Sequence, residues 1–374
     1  MTITQLSLEN FRNIRAAQLK TLSPRLNVIV GDNGSGKTSL LESIYVLGVG
    51  RSFRCAGLLQ AKQLIHTGEA LCRVIAKVQP AEESTGMAVQ PMTLAMQRAL
   101  HKNEWRLAGE PVKRIVDIAQ VLPVQLLNAQ RYRLLQQPPE ERRQVLNWGL
   151  FHVEQSFLNQ WQRLQRLLKQ RNAALRQTRP VAAEVFAWDD ELVHLSTNIH
   201  EMRKRFFQEW LVVIWECLPP SLQALPLQFD YMPGWDMNNS LQTLLQQRYA
   251  RDCQLKYTSV GIQRSDFRVS LDGVDVQYRL SLGQQKLLVT TLFVAQYLWL
   301  LKYQNKTAIY LIDDLISDLD VVAYDSVLKL LARTPAQIWL TSTSSEWMER
   351  LPQEWDDQMK KMFHVEHGNI VAVD

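Results

Sequence analysis

Apolar and polar positions along the chain follow three successive regimes. From Met1 to Ile14 they alternate. Ile3, Leu6 and Leu8 stand apart from Thr2, Gln5 and Ser7, which is the period of a half-buried strand closed by Phe11-Arg12-Asn13. Residues 17–22 predict a second short strand with Ser23-Pro24 as its turn. Residues 26–30 are a continuous apolar run, and 39–47 open a helix with a mostly apolar face. Residues 70–78, 92–97 and 105–109 predict further strands, the first two joined across a Pro-, Glu- and Gly-containing loop at 79–90. Near Pro138-Pro139 the pattern turns helical. Leu158, Trp161, Leu164, Leu168 and Leu175 mark one face of a helix over 157–177, and residues 192–218 predict a second that ends at Pro219-Pro220. No strict heptad persists, so a long coiled-coil arm is not expected. From Thr258 the β pattern returns. It gives a hairpin of 266–271 with 274–279 across Asp272-Gly273, a helix over 283–303 and a strand over 308–312. A helix over 321–331, a strand over 338–341 and a closing hairpin around His367-Gly368 complete it.

An α/β unit is therefore expected in two sequence halves with a helical insertion between them. The expected boundaries are 1–135, 136–254 and 255–374. At 374 residues and 46% hydrophobic content the chain can bury a large core. The net charge of +5 permits an anionic partner without requiring one. Cys55, Cys72, Cys217 and Cys253 form no C-x-x-C pair, which speaks against zinc and disulfide frameworks. No apolar run reaches the length of a membrane span, and the opening residues read as a strand, not a signal peptide. A cytoplasmic protein is the expectation.

The chemistry starts where the apolar run over 26–30 meets a helix. Gly31-Asp32-Asn33-Gly34-Ser35-Gly36-Lys37-Thr38 fits G-x-x-x-x-G-K-[ST], and Ser39 continues into the helix. Glycines let backbone N–H groups turn onto phosphate oxygens, and the helix adds its positive end. Lys37 is placed to reach the terminal phosphates of a nucleotide, and the Thr38 hydroxyl to ligate Mg²⁺. A plain glycine-rich turn is the alternative, and the flanking strand and helix argue against it. Ile309-Tyr310-Leu311-Ile312-Asp313-Asp314 is an apolar strand ending in two carboxylates. Asp313 is expected in the Mg²⁺ shell, and Asp314 to orient or deprotonate water. The short reach of Asp314 predicts slow hydrolysis. Leu280-Ser281-Leu282-Gly283-Gln284 fits L-S-x-G-Q, in which Ser281, Gly283, Gln284 and a helix start can present donors to an anion. A simple helix cap by Ser281 is the competing reading.

With these motifs the chain resembles the RecF family, gap-repair ATPases related to ATP-binding-cassette proteins and SMC heads. The likeness rests on Leu8 to Asn13, Gly31 to Glu42, Gly48-Val49-Gly50-Arg51-Ser52-Phe53-Arg54, Arg142-Arg143 with Trp148, and Leu167 to Leu175. Tyr310 to Asp320, with the loop Ser317-Asp318-Leu319-Asp320, and Met362 to Val365 complete it. The resemblance implies an ABC/SMC-head-type ATPase lobe with a second, helical lobe. It implies ATP and Mg²⁺ as cofactors and Arg12 near the nucleotide. It also implies a head-to-tail homodimer in which Ser281, Gly283 and Gln284 complete the facing copy's site. Double-stranded DNA near single-strand gaps, RecR and RecO are the implied partners, and support of recombinase loading and SOS induction the implied role. The arginine-rich helix, with Arg163, Arg166, Lys169, Arg171 and Arg176 and no acid between Glu154 and Glu184, agrees with phosphate contacts. The chain departs from the family pattern at Leu282 (usually Arg), Ala129-Gln130 (usually a Pro-acid pair), Asn147 (usually Asp) and Gln263 (usually His). Gln130 restores a Mg²⁺-sensing glutamine of transporter cassettes, with Gln125 as its rival. The competing functions are an ATP-gated scaffold with little hydrolysis and a transporter's nucleotide-binding subunit. A recombination ATPase with an attached nuclease is weaker still, because no His/Asp metal constellation is visible.

Overall fold

The computed structural model describes residues 1–55, 60–80, 90–314, 321–355 and 359–373. The expected loop Ser317–Asp320 lies outside them. In chain order the strands are β1 (Thr2–Phe11), β2 (Ile14–Leu19), β3 (Leu26–Val30), β4 (Leu71–Gln79), β5 (Met92–Ala99), β6 (Asn103–Leu107), β7 (Glu110–Pro111) and β8 (Val124–Leu127). They continue with β9 (Leu227–Met232), β10 (Asp266–Leu271), β11 (Val274–Asp275), β12 (Ile309–Ile312), β13 (Gln337–Ser342), β14 (Lys360–Glu366) and β15 (Asn369–Val373). The chain divides into two compact units, 1–132 with 282–374, and 133–281.

The first unit holds two six-stranded sheets. One is antiparallel, in the order β2-β1-β4-β5-β6-β7, and its strands alternate buried and exposed positions because one face meets the core. The other has the order β15-β14-β3-β13-β12-β8. Its β14, β3, β13, β12 and β8 run parallel, and only β15 is antiparallel. Every residue of β8, β12 and β13 is buried; β12 reads as a continuous apolar run, while Gln125 interrupts β8 and Gln337, Thr341 and Ser342 flank the apolar centre of β13. Between the motif-bearing loops runs the helix Lys37–Val49, buried at nearly every position. Its Leu40, Leu41, Ile44 and Leu47 share one core with Leu6 and Leu8 of β1, Val74 of β4, Leu126 of β8 and Leu311 of β12. A helix that is apolar around its circumference is stable only when covered on all sides. No helix among the described residues is long and apolar enough to cross a membrane.

In the second unit the helices Pro139–Val153 and Phe157–Leu175 pack on the long helix Asp189–Cys217, beside a small sheet ordered β11-β10-β9. Three strands here and in the first unit escape the sequence pattern, among them the two-residue β7. β8 is four residues long, too short for periodicity to separate it from helix. β9 sits between Pro226 and Pro233 inside a helix-rich region. It pairs with the whole of β10, whereas the expected hairpin partner, β11, contributes only two residues. That ladder carries 255–281 into the second unit, so the boundary expected at 254/255 falls at 281/282.

Buried arginines hold this unit together. Arg171 is fully buried and donates to Asp189 at 2.8 Å, Asp252 at 3.1 Å and Thr258 at 2.9 Å. It is therefore not available to a phosphate, and its expected place in a DNA contact is corrected. The spacing that put it on the basic helix could not show that it turns inward. Arg203 is also fully buried, but its partners are neutral: Asn147 Oδ1 at 2.7 Å, Ser265 Oγ at 2.6 Å and the Ile262 carbonyl at 3.0 Å. The Asn147 departure thus leaves a buried guanidinium without a carboxylate. Asn147→Asp is expected to raise stability by about 1–2 kcal/mol in urea denaturation, because an ionised acceptor strengthens that bond about twofold.

Candidate functional site

Parallel pairing places β3, β13, β12 and β8 in register, with Ser342 opposite Val30, and Ile312 between Leu340 and Leu127. Ligand sites form at such carboxyl ends. The loop after β3 is built by close approach. A Cβ on Gly31 would lie 2.2 Å from the Val365 carbonyl oxygen of β14, so no side chain fits there. Gly36 caps the helix at φ 127°, a conformation that favours glycine. From below, Asn13 Nδ2 donates to the Ser35 carbonyl at 3.0 Å and Gly368 N to the same oxygen at 2.8 Å. The turns after β1 and β14 therefore fix the loop's shape.

Lys37 Nζ is held over the loop by the carbonyls of Gly31, at 2.6 Å, and Asp32, at 2.8 Å. Burial lowers its pKa, and Asp313, Asp314 and Asp32 oppose that shift. Thr38 Oγ1 donates to the Asp313 carboxylate at 3.0 Å, and Thr341 Oγ1 donates to it at 2.8 Å. Burial pushes the Asp313 carboxyl up, against the pull of the two hydroxyls. Asp314 has φ 55°, and its N–H donates to Thr341 Oγ1 at 2.9 Å. A hydroxyl and a carboxylate converging beside a phosphate-type loop suit Mg²⁺, which takes one or two protein oxygens and shares the rest of its shell with phosphates and water. Thr38 and Asp313 would hold it.

These groups open onto a cavity of about 660 Å³. Of the residues expected from sequence, Arg12, Asn33, Gly34, Gly36, Lys37, Thr38, Ser39, Asp313 and Asp314 line it. Gly31, Asp32 and Ser35 shape the loop from behind. Gln130 is exposed and is not part of the lining, although its neighbour Ala129 is. Its rival Gln125 is buried in β8 and donates to Gln296 at 2.6 Å. The structure therefore brings neither glutamine into the cavity: one faces solvent, and strand pairing buries the other. Gly283 and Gln284 lie in the first turn of the helix Leu282–Gln304, with Ser281 exposed just before it. Leu282 is 63% exposed.

Arg12 donates to both oxygens of the fully buried Glu42, at 2.9 and 2.7 Å, and to Cys55 Sγ at 2.9 Å. Burial works to lower the Arg12 pKa, but these bonds outweigh it and the net direction is up. Ser52 donates to the same carboxylate, and Arg54 approaches it at 3.7 Å. Arg54, Gln63, His66, Thr67 and Thr341 also line the cavity without having been expected there. Arg54 had a signal in the stretch Gly48 to Arg54. Gln63, His66 and Thr67 had none. Backbone bonds, Arg12 N to Leu64 O and His66 N to Asn10 O, both 2.8 Å, carry them to the rim, and His66 Nδ1 lies 2.7 Å from the Arg12 carbonyl.

The family model described as "RecF/RecN/SMC N terminal domain" matches residues 2–371. Over 373 residues the chain is 37% identical to the DNA replication and repair protein RecF of Psychromonas ingrahamii, with 100% of each chain covered. It is 38% identical to that of Pseudomonas paraeruginosa, covering 99% of this chain and 97% of the relative. The chain belongs to the RecF family. A solved structure described as RecF-ATP, the recombination mediator protein of the RecFOR pathway, superposes with a TM-score of 0.82 at 20% identity. That match covers 100% of this chain and 98% of the other, and it shows the shared RecF and SMC-head fold. The α/β lobe expected from the motifs is thus the observed one.

Proposed function

We propose that this RecF-family chain binds ATP and Mg²⁺ in the cavity and, so loaded, closes head-to-tail with a second copy on double-stranded DNA at single-strand gaps. The observation that carries the reading is the convergence of Lys37, Thr38, Asp313 and Thr341 at the carboxyl ends of in-register strands. Lys37 would exchange its two loop carbonyls for phosphate oxygens. Mg²⁺, when bound, would neutralise charge on those oxygens. Asp314 would orient water, and its short reach supports weak hydrolysis, which DNA would stimulate. Ser281, Gly283 and Gln284 would serve the facing copy's phosphates, and loss of the terminal phosphate would release them. On the helix Phe157–Leu175 and just beyond it, Arg163, Arg166, Lys169 and Arg176 are exposed and suit phosphate contacts, although Arg163 pairs with Glu191. RecR and RecO as partners, recombinase loading, SOS induction and a cytoplasmic setting belong to the same reading.

Ser281→Arg tests the dimer. Nucleotide binding is expected to stay within about twofold, while ATP-dependent dimerisation, read by light scattering, is lost. A variant that loses nucleotide affinity as a monomer would show that Ser281 acts within its own chain. A wild type that dimerises on DNA without measurable turnover would favour the scaffold reading, which the short carboxylate of Asp314 supports.

A further inference from the structure

The pair Arg142-Arg143, singled out in the sequence, has no role in the nucleotide cavity. In the second unit it meets an unusual concentration of charge. Three guanidiniums converge on the dipeptide Ser265-Asp266. Arg142 binds the Asp266 carboxylate through two bonds of 2.8 Å, Arg143 donates to the Ser265 carbonyl at 3.0 Å, and Arg203 donates to Ser265 Oγ at 2.6 Å. Asp266 is thus already engaged. Arg203 is fully buried among neutral partners, lies over the Trp161 ring at 5.0 Å, and has no partner for its Nε. A buried charge without a counter-ion is costly, and its field extends to the nearest surface. Asp266 and Glu140 are the acids that act on Arg143, and Arg142 and Arg264 act on it as repelling cations.

The surface above this cluster is suited to an anion. Arg143 is half-buried, and the Ser265 carbonyl is the one hydrogen-bond partner described for it. Arg264 is exposed and stacks over the Tyr257 ring at 4.7 Å. Tyr257 is itself 37% exposed. Guanidinium forks fit phosphate oxygens, and a Tyr–Arg platform offers a flat face on which an unpaired base can stack. Bases inside a duplex cannot use such a platform. An acidic peptide would use the arginines but leave the aromatic platform idle.

We infer that Arg143, Arg264 and Tyr257 form a contact for an unpaired nucleic-acid strand, with the arginines on the phosphodiester backbone and Tyr257 under a base. The inference rests on the DNA-binding reading and adds a second, strand-selective contact to the basic helix. The intact protein is titrated against labelled oligothymidine and a blunt duplex, with ATP and Mg²⁺ present, and followed by fluorescence anisotropy. Tyr257→Ala is expected to weaken oligothymidine binding about fivefold or more and duplex binding less than about twofold. Arg264→Gln, at an exposed position, is expected to reduce the slope of log affinity against log salt on the single strand by about 0.7. Asn147→Asp, which gives Arg203 an internal counter-ion, is expected to weaken oligothymidine binding while keeping the fold. A wild type that binds duplex, with Tyr257→Ala and Arg264→Gln unchanged on oligothymidine, overturns this inference alone. Equal losses on both DNAs overturn it too, because they indicate general charge and not strand selection. Unchanged DNA binding with lost polyglutamate binding would assign the surface to an acidic protein instead. A wild type that binds neither DNA overturns the DNA reading with it.

Discussion

Lys37→Met is expected to lower ATP affinity at least about 100-fold, read by titration calorimetry or a fluorescent nucleotide, and to abolish ATP-dependent dimerisation. The side chain already sits over the loop with its ammonium on two backbone carbonyls, at 2.6 and 2.8 Å, in a partly desolvated site. Charge-assisted bonds to phosphate are each worth about 1.5–3 kcal/mol, and two of them lost correspond to about two decades or more of affinity. Methionine keeps the length and apolar stem, so the fold is expected to stay within about 1 kcal/mol of the wild type in urea. Normal ATP-dependent dimer formation by this variant would contradict the assignment of the cavity.

The second large effect lies away from the cavity. Arg171→Met is expected to destabilise the protein by about 3–5 kcal/mol, because it strands two buried carboxylates, Asp189 and Asp252, that now share one guanidinium. Burial already pushes the Asp189 carboxyl up, and Arg171 opposes that push. Without the arginine the opposition disappears. The penalty on Asp189 then applies where it is ionised, above its raised pKa, and eases as pH falls through it. The urea midpoint of the variant should therefore approach that of the wild type on mild acidification. Arg166→Met, on the exposed side of the same helix, is expected to change stability by less than about 0.5 kcal/mol. Equal effects of the two substitutions would contradict the buried triad.

This pair of arginines shows where sequence reading stops. Arg166 and Arg171 belong to one basic stretch without an acid, and composition treats them alike. Asp189 and Asp252 come from segments 18 and 81 residues further on. Only packing tells which arginine they draw inward. Gln130 and Gln125 are a similar case. Both fit a spacing argument, yet strand pairing buries one and a short helix turns the other to solvent.

The local motifs were legible because their chemistry is local. Gly31 to Thr38 declares its turn by the spacing of its glycines, although Asn13 and Gly368 brace it from outside, and Lys37 and Thr38 follow from the helix that begins there. The two carboxylates at Asp313-Asp314 follow from an apolar strand that ends, and the alternation of β1 and β4 follows from a sheet with one wet face. What the tertiary structure alone decided was non-local. It set the register that brings Thr38 and Thr341 onto Asp313. It made the backbone bonds that carry His66 to the cavity rim, and it placed the β9–β10 ladder that moves residues 255–281 into the helical unit. Each of these joins residues far apart in the chain, and neither periodicity nor propensity carries information about which distant partner a strand edge or a buried charge will meet.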